Sequence, residues 1–298
     1  MATGPRRILS TYLWISHKLA LATLDEIERA GIHAVEIFCG KGHFDYNNSE
    51  IVRDFANWFR DHKLKLHSLH APTSRDFSPG RESGSPVSIS DPERVRRLDA
   101  VDEIKRALEV AESIPLEFMI LHAGSSHDSA DPRRWDAAFS SLENLALFAR
   151  QRGVTLALEN TPGELATPEN LRQFVEQTRL PGLKLCFDSG HAQLDSGALQ
   201  GLETMRGLAV TCHLHDNHGE KDEHLLPFTG DIDWEKLMQA MPPELPCVME
   251  PKEQTKDLPR DAHSREQSRE VARDGAMQPS SDDILRAFDA LEKARDNS

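Results

Sequence analysis

The sequence predicts one α/β domain over residues 1–298, folded as a single (β/α)8 TIM barrel. Two observations predict it. Eight short apolar runs alternate with amphipathic helical stretches nearly from end to end, and residues fit to bind a metal stand at the ends of six of those runs. Such alternation builds parallel βα units, and a barrel gathers the ends of its strands at one mouth. An open doubly wound sheet would concentrate ligands at one switch point instead of spreading them over six strand ends.

The predicted strands are Ile8–Tyr12, Ala34–Phe38, Leu64–Leu69, Phe118–Leu121, Thr155–Leu158, Leu183–Phe187, Ala209–Leu214 and Cys247–Met249. Helical spacing fills most of the gaps. Leu21–Ala30 stops at Gly31, Ile51–Asp61 follows an Asn-Asn-Ser cluster, Glu93–Glu112 follows Asp91-Pro92, and Arg133–Arg152 stops at Gly153. Thr167-Pro168 opens Glu169–Gln177, since Thr caps a helix and Pro suits its first turn. Asp233–Met241, with Asp233 as cap, and Ser281–Ala294 complete the set. Two connections exceed what a barrel needs: residues 71–90, rich in Ser, Pro and Gly, and residues 252–279, dense in charge. Both follow strands, so both are expected over the mouth as lids, binding loops or insertions. No internal repeat and no domain linker is visible.

Composition narrows the function classes. Lys plus Arg number 35 against 49 Asp plus Glu, a formal charge of −14. That charge disfavours loose adhesion to nucleic acid or anionic membrane, although a local basic groove is compatible with it. No apolar segment approaches the roughly 20 residues of a membrane span, and the N-terminus lacks the apolar core of an export signal. Cys39, Cys186, Cys212 and Cys247 are dispersed, with no zinc-finger spacing. They read as small buried thiols of a protein in a reducing cytoplasm. A homo-oligomer is compatible with the sequence.

Nine residues could line a metal site: His70, His122, Glu159, Asp188, His191, His213, Asp222, His224 and Glu250. Oxygen and imidazole donors suit a divalent ion such as Mn, Zn, Mg or Co. Glu159 (ALENTPGE) and Glu250 (CVMEPK) end runs five and eight, roughly opposite across a barrel mouth, where two carboxylates can hold a metal and exchange a proton with substrate. FDSGHA sets Asp188 and His191 three apart at a strand end; taken alone, that pair reads as a turn plus a helix cap. VTCHLHDNHGEKDEH packs four histidines and four acids into 15 residues. Its His213 and His215 share one strand face, and Asp222-x-His224 follows in the loop. SLHAP and ILHAGS place His70 and His122 at the ends of runs three and four. A lone strand-end histidine is usually a packing residue, so the signal lies in the joint occurrence.

These motifs (HAP, LHAG, LEN, FDSGHA, HLHDN, DEH before GDIDW, and the terminal MEP) resemble the xylose isomerase-like barrel superfamily from about Ile8 to Glu250 and through the final helix. That group includes sugar and sugar phosphate isomerases and epimerases as well as endonuclease IV. In isomerase and epimerase members the metal is held by Glu, Asp, His and Glu, which implies Glu159, Asp188, His213 and Glu250 here, with Glu159 and Glu250 as the acid–base pair. The resemblance places His191 against substrate, and His70, His122 and His215 are expected to join it there. Endonuclease IV binds three zinc ions through a larger set, and all nine of its ligand types can be placed on the residues above. Two functions follow. One is isomerisation or epimerisation of a sugar or sugar phosphate by proton transfer through an enediolate. The alternative is zinc-dependent phosphodiester cleavage at abasic sites in DNA; a barrel that keeps the site as a relic is a third. DNA binding calls for Lys and Arg around the mouth, and outside Arg75, Arg81 and the Lys252–Arg273 segment the loops hold few. The sequence therefore favours the sugar enzyme. No Gly-rich phosphate loop stands out.

Overall fold

The computed structural model describes residues 7–74, 86–255 and 276–296. Eight strands close into one barrel in chain order, every neighbouring pair parallel, with β1 paired to both β2 and β8. They are β1 Ile8–Ser10, β2 Ala34–Phe38, β3 Lys65–His70, β4 Phe118–His122, β5 Thr155–Glu159, β6 Leu183–Asp188, β7 Ala209–Leu214 and β8 Cys247–Met249. Strands three to six run one residue beyond their apolar stretches, so that His70, His122, Glu159 and Asp188 are themselves the last strand residues. β1 is shorter than expected. The Ser10 hydroxyl accepts the Tyr12 amide and turns Thr11–Trp14 into a 3-10 helix.

The period-two alternation of a strand sorts each run into two faces. Outward residues such as Leu9, Val35, Ile37, Leu121, Leu158 and Phe187 pack with the helices in the main core. Inward residues form two small apolar plugs, Ile8–Ala34–Val248 and Ile120–Ala157–Cys186. Two residues beyond a plug residue on the same face comes a polar one: Ser10, Glu36, His122, Glu159, Asp188 or Glu250. The apolar plug is thus the dry floor of a polar chamber. Register shifts on β3 and β7 each insert an extra residue, which changes the phase of those strands before they reach His70 and His213.

The surrounding helices are α1 Leu21–Arg29, α2 Ser49–Asp61, α3 Arg94–Leu108, α4 Pro132–Arg150, α5 Pro168–Thr178, α6 Ser189–Gln193, α7 Ala198–Met205, α8 Trp234–Ala240 and α9 Ser281–Asp296. The expected caps form: Thr167 accepts the Asn170 amide, and Asp233 accepts that of Lys236. Asn48 caps α2 and starts it two residues before the apolar periodicity does. The periodicity marks no helix between β6 and β7, yet the chain forms α6 and α7 there. Gly201 lowers the helix propensity of that segment, but its missing side chain lets α7 approach Ala192 of α6, whose methyl would lie 2.7 Å from an added Cβ. Of the two long connections, residues 75–85 and 256–275 lie outside the described residues, Arg75 and Arg81 among them. Their flanks are tied by a Ser74–Pro86 bridge and by an antiparallel pair, β9 Gln254–Thr255 with β10 Ala276–Met277.

Candidate metal centre

All nine residues singled out in the sequence face the carboxyl end of the barrel, and they fall into three groups of mutually close donor atoms. In the first, His70 Nε2 lies 3.2 Å from Glu159 Oε2 and 3.2 Å from His122 Nε2, and His122 Nε2 lies 3.3 Å from the same oxygen. In the second, His213 Nδ1 stands 3.2 Å from Glu159 Oε1, 3.4 Å from Glu250 Oε2 and 3.9 Å from Asp188 Oδ2. In the third, His191 Nε2 and His224 Nε2 each stand 3.3 Å from Asp222 Oδ2. Donors held 2.0–2.1 Å from a tetrahedral zinc are about 3.3 Å from one another. The first and third groups have that spacing, and the second approaches it.

The histidines are oriented by their other ring nitrogen. His70 Nδ1 donates to the Ala71 carbonyl at 2.9 Å, His191 Nδ1 to that of Asn160 at 2.9 Å, and His224 Nδ1 to that of Glu250 at 3.0 Å. A carbonyl only accepts, so each neutral ring turns a lone pair inward, toward carboxylate oxygens that also carry only lone pairs. Lone pairs facing lone pairs in a buried site need protons or cations between them. Asp188 Oδ2 adds to this requirement, being buried without a hydrogen-bond partner among the described residues. The residues present fit divalent ions at all three groups.

Glu36, in the middle of the AVEIF run, escaped the sequence reading. It is fully buried, accepts from His213 Nε2 at 3.1 Å and from Ser68 Oγ at 2.7 Å, and so fixes the ring whose Nδ1 faces the second group. Burial pushes its carboxyl up, but the His213 charge and hydrogen bond and the nearby His70 and Ser68 bring it down to about 2. The signal was available: a carboxylate on the inward parity of a barrel strand has no water to solvate it. Carboxylates behind ligating histidines typically matter about 10–100-fold to metal affinity. Glu36→Gln should therefore weaken metal binding by about that factor, measured by competition with a chromophoric chelator. Unchanged affinity would remove Glu36 from the centre.

Protonation opposes metal binding here, and the sign follows from the shifts. Burial disfavours the charged forms of His213 and His191. Cys186 with Glu250, Glu36 and Glu159 around the first, and Asp188 with Asp222 around the second, nevertheless raise both well above the ordinary imidazole value. Burial raises Glu250 to about 7 against the pull of His213 and His224. These protons must leave before a cation takes the lone pairs. Affinity should thus climb as pH rises from 6 to 8, by about a decade per unit for each proton displaced. Calorimetric titrations across that range would show it, and a flat profile would contradict it.

The chamber opens into a cavity of about 180 Å3 walled by Tyr12, Phe38, Thr73 and seven of the nine residues above. His70, His122 and His191, expected to touch substrate, line it. His215, expected there too, is buried behind with the third group. No Lys or Arg is among the described residues that line it. Phe38 stacks on His70 with ring centroids 4.4 Å apart, and Tyr12 lies 4.8 Å from His224, so both aromatics brace metal-facing rings. The loop after β7 is organised by buried Asp216. Its carboxylate accepts the amides of Asn217, Gly230 and Ile232 and the Trp234 indole at 2.7–3.1 Å. Gly230 is needed there, because a Cβ would fall 2.5 Å from both the Asn217 carbonyl and Asp216.

An eight-stranded barrel whose mouth is lined by strand-end His, Asp and Glu defines a broad class of metal-site proteins. Residues 24–273 match the xylose isomerase-like TIM barrel family, and the chain belongs to it. It is 28% identical over 235 residues to the uncharacterized protein MJ1311 of Methanocaldococcus jannaschii, covering 74% of each chain. Among solved structures it resembles a D-tagatose 3-epimerase-like protein, with a TM-score of 0.70 and 21% identity over 97% of this chain and 98% of that one. It also resembles an AP endonuclease of family 2 from Brucella melitensis, with a TM-score of 0.62 and 18% identity over 83% and 93%. At those identities the two structures establish the fold alone. Most members of the superfamily are enzymes. Among the described residues, no helix is long and apolar enough to cross a membrane.

Proposed function

We propose that the protein is a divalent-metal-dependent phosphoester hydrolase of the endonuclease IV kind. Glu159 carries the reading. Its Oε2 faces His70 and His122 while its Oε1 faces His213, so one carboxylate serves two donor groups at once. Bound divalent ions would supply Lewis-acid stabilisation of a phosphoryl group and would acidify water. The chain supplies the rest. His70, His122 and Glu159 would hold one ion, Glu159, Asp188, His213 and Glu250 a second, and His191, Asp222 and His224 a third. Glu36, Ser10 and Ser68 lock the carboxylate and imidazole orientations from below, and the apolar plugs keep water from reaching the centre through the barrel floor.

A second reading is favoured by the cavity. Glu159 and Glu250 both approach His213 Nδ1 within 3.4 Å, from strands five and eight, and so flank one position. Burial holds Glu250 near 7, where Oε2 can both take and return a proton. A space of about 180 Å3 without a cation among its described lining residues suits a small polyhydroxylated molecule better than a nucleic acid backbone. That combination supports sugar or sugar phosphate isomerisation or epimerisation, the activity that the sequence alone favours.

One set of measurements separates the two. Protein purified without chelator is analysed for metal, incubated with abasic-site duplex DNA and a chromogenic phosphodiester, and incubated with a panel of ketoses in heavy water. More than one equivalent of metal with phosphodiester cleavage is the expected result. One equivalent, no cleavage, and deuterium at a carbon next to the carbonyl would establish the second reading in its place.

A further inference from the structure

We propose that Cys212 and Cys247 form a peroxide-reactive dithiol on the outer wall of the barrel, with Cys247 as the attacking sulfur, Cys212 as the resolving one and Arg295 as the group that activates the pair. The product is a disulfide that ties β7 to β8.

The two residues stand opposite each other in register across the parallel β7–β8 pair. Inward on these strands are His213, Val248 and Glu250. The alternation therefore sends Cys212 and Cys247 to the other face, where both pack in the helix-covered core. Whichever reaction the mouth performs, the barrel wall separates it from this pair. Neighbouring strands lie about 4.8 Å apart, and a disulfide spans Cα atoms about 4.4–6.8 Å apart. The thiols already meet, since Cys212 hydrogen-bonds to the Cys247 sulfur.

The two sulfurs are not alike. Cys212 is fully buried, whereas Cys247 is half-buried at the first position of β8, so a small oxidant meets Cys247 first. Arg295, in the last turn of α9, places Nη2 3.2 Å from Cys247 Sγ. A guanidinium only donates, and a thiol sulfur is a poor acceptor where a thiolate is a good one, so this contact favours the thiolate. The hydrogen bond from Cys212 and, against burial, the Arg295 charge bring the Cys247 thiol down to about 7.

Hydrogen peroxide is the oxidant. The Cys247 thiolate attacks one peroxide oxygen, the O–O bond breaks and hydroxide leaves, which makes a sulfenic acid. The Cys212 sulfur then attacks the Cys247 sulfur, the S–O bond breaks, and the departing hydroxide takes the Cys212 proton as water. The proton that Cys247 gave up neutralises the first hydroxide. Two thiols become one disulfide, and the peroxide becomes two waters. With Cys212 in contact, oxidation stops short of the irreversible sulfinic acid.

The competing role is structural. Each thiol also has a carbonyl within reach, Leu245 at 3.4 Å for Cys247 and Pro246 at 3.5 Å for Cys212, and the Arg295 contact would then only pin α9 to the barrel. The test uses the reduced, zinc-loaded full chain as wild type, as Cys212→Ala and as Arg295→Gln. Each is exposed to hydrogen peroxide for graded times, quenched with an alkylating agent and read by intact mass and peptide mapping. Expected in wild type are loss of two hydrogens, a Cys212–Cys247 cross-linked peptide and reversal by dithiothreitol, while the fully buried Cys39 and Cys186 stay thiols. Cys212→Ala should let a dimedone probe capture the Cys247 sulfenic acid, which then proceeds to sulfinic acid. Arg295→Gln should slow Cys247 oxidation about tenfold, as the thiolate fraction falls toward that of an ordinary thiol. Cys247 reacting no faster than Cys39 and Cys186 would overturn the proposal. So would oxidation of Cys247 without a cross-link to Cys212, or an Arg295→Gln protein that loses thermal stability while its oxidation rate is unchanged. Should either variant fail to fold, the wild-type cross-link and the rate of Cys247 against Cys39 and Cys186 decide the matter.

Discussion

Glu159→Gln should abolish turnover, by about three orders of magnitude or more, and should strip metal from two groups at once. The amide keeps the shape of the side chain but has one accepting oxygen where the carboxylate has two. Whichever way it turns, an NH2 faces either the His70–His122 pair or the His213 position, and the negative charge both share is gone. Burial leaves no water to replace it; the site already holds the Glu159 carboxyl well below its ordinary range, because His213, His122 and His191 outweigh the cost of burial. Elemental analysis beside an activity assay reads both effects. Retention of the full metal complement with normal turnover would remove Glu159 as the shared ligand and the hydrolase reading with it.

Asp216→Ala should give the largest loss of stability of any single change around the mouth. Four donors converge on a carboxylate that is itself fully buried, and truncation leaves all four without an acceptor. An unsatisfied buried donor costs about 1–3 kcal/mol, so the sum is at least about 4 kcal/mol even if water reaches some of them. That is a large share of the about 5–15 kcal/mol that keeps a typical domain folded. Denaturant unfolding measures it. A change under about 1 kcal/mol would mean that the loop rearranges to satisfy these groups by other means. Asp216→Asn should fall between, since its amide turns a donor toward the amides it must accept from.

The barrel was readable in the sequence because strands buried on both faces are near-continuous apolar runs, and helices lying over them are amphipathic. Each strand was placed to within two residues. The errors have local causes. β1 ends early because Ser10 caps a tight turn, a side-chain-to-backbone bond that apolar patterning does not see. α6 and α7 were missed because one spans only five residues and the other carries a glycine chosen for close packing against α6. Most of the nine residues were readable because polar side chains interrupt apolar runs at one recurring place, the strand end, with His191, Asp222 and His224 in the segments that follow. Glu36 was not, since it interrupts its run in the middle, where no loop follows. The grouping of the nine into three sets was also out of reach, because which oxygen of Glu159 faces which histidine depends on side-chain torsions. His215 shows the limit most plainly. Parity put it on the same face as His213, but its ring sits behind the cavity wall, in the space left by the missing side chain of Gly190.

Barrel closure sets a timetable for this protein. The three donors of the first group lie on β3, β4 and β5, which are hydrogen-bonded neighbours, so all of them exist once residue 159 has been made. The second group waits for Glu250, and β8 is also the strand that completes the circle by pairing with β1. His224 depends on the same event, since its Nδ1 donates to the Glu250 carbonyl. In chain order the His70–His122–Glu159 set is thus complete some ninety residues before Glu250 finishes the cage. The shared glutamate is the first ligand of one set and the oldest member of the next. On the proposed reading, acquisition of metal is a question of order during translation as much as of affinity in the finished protein.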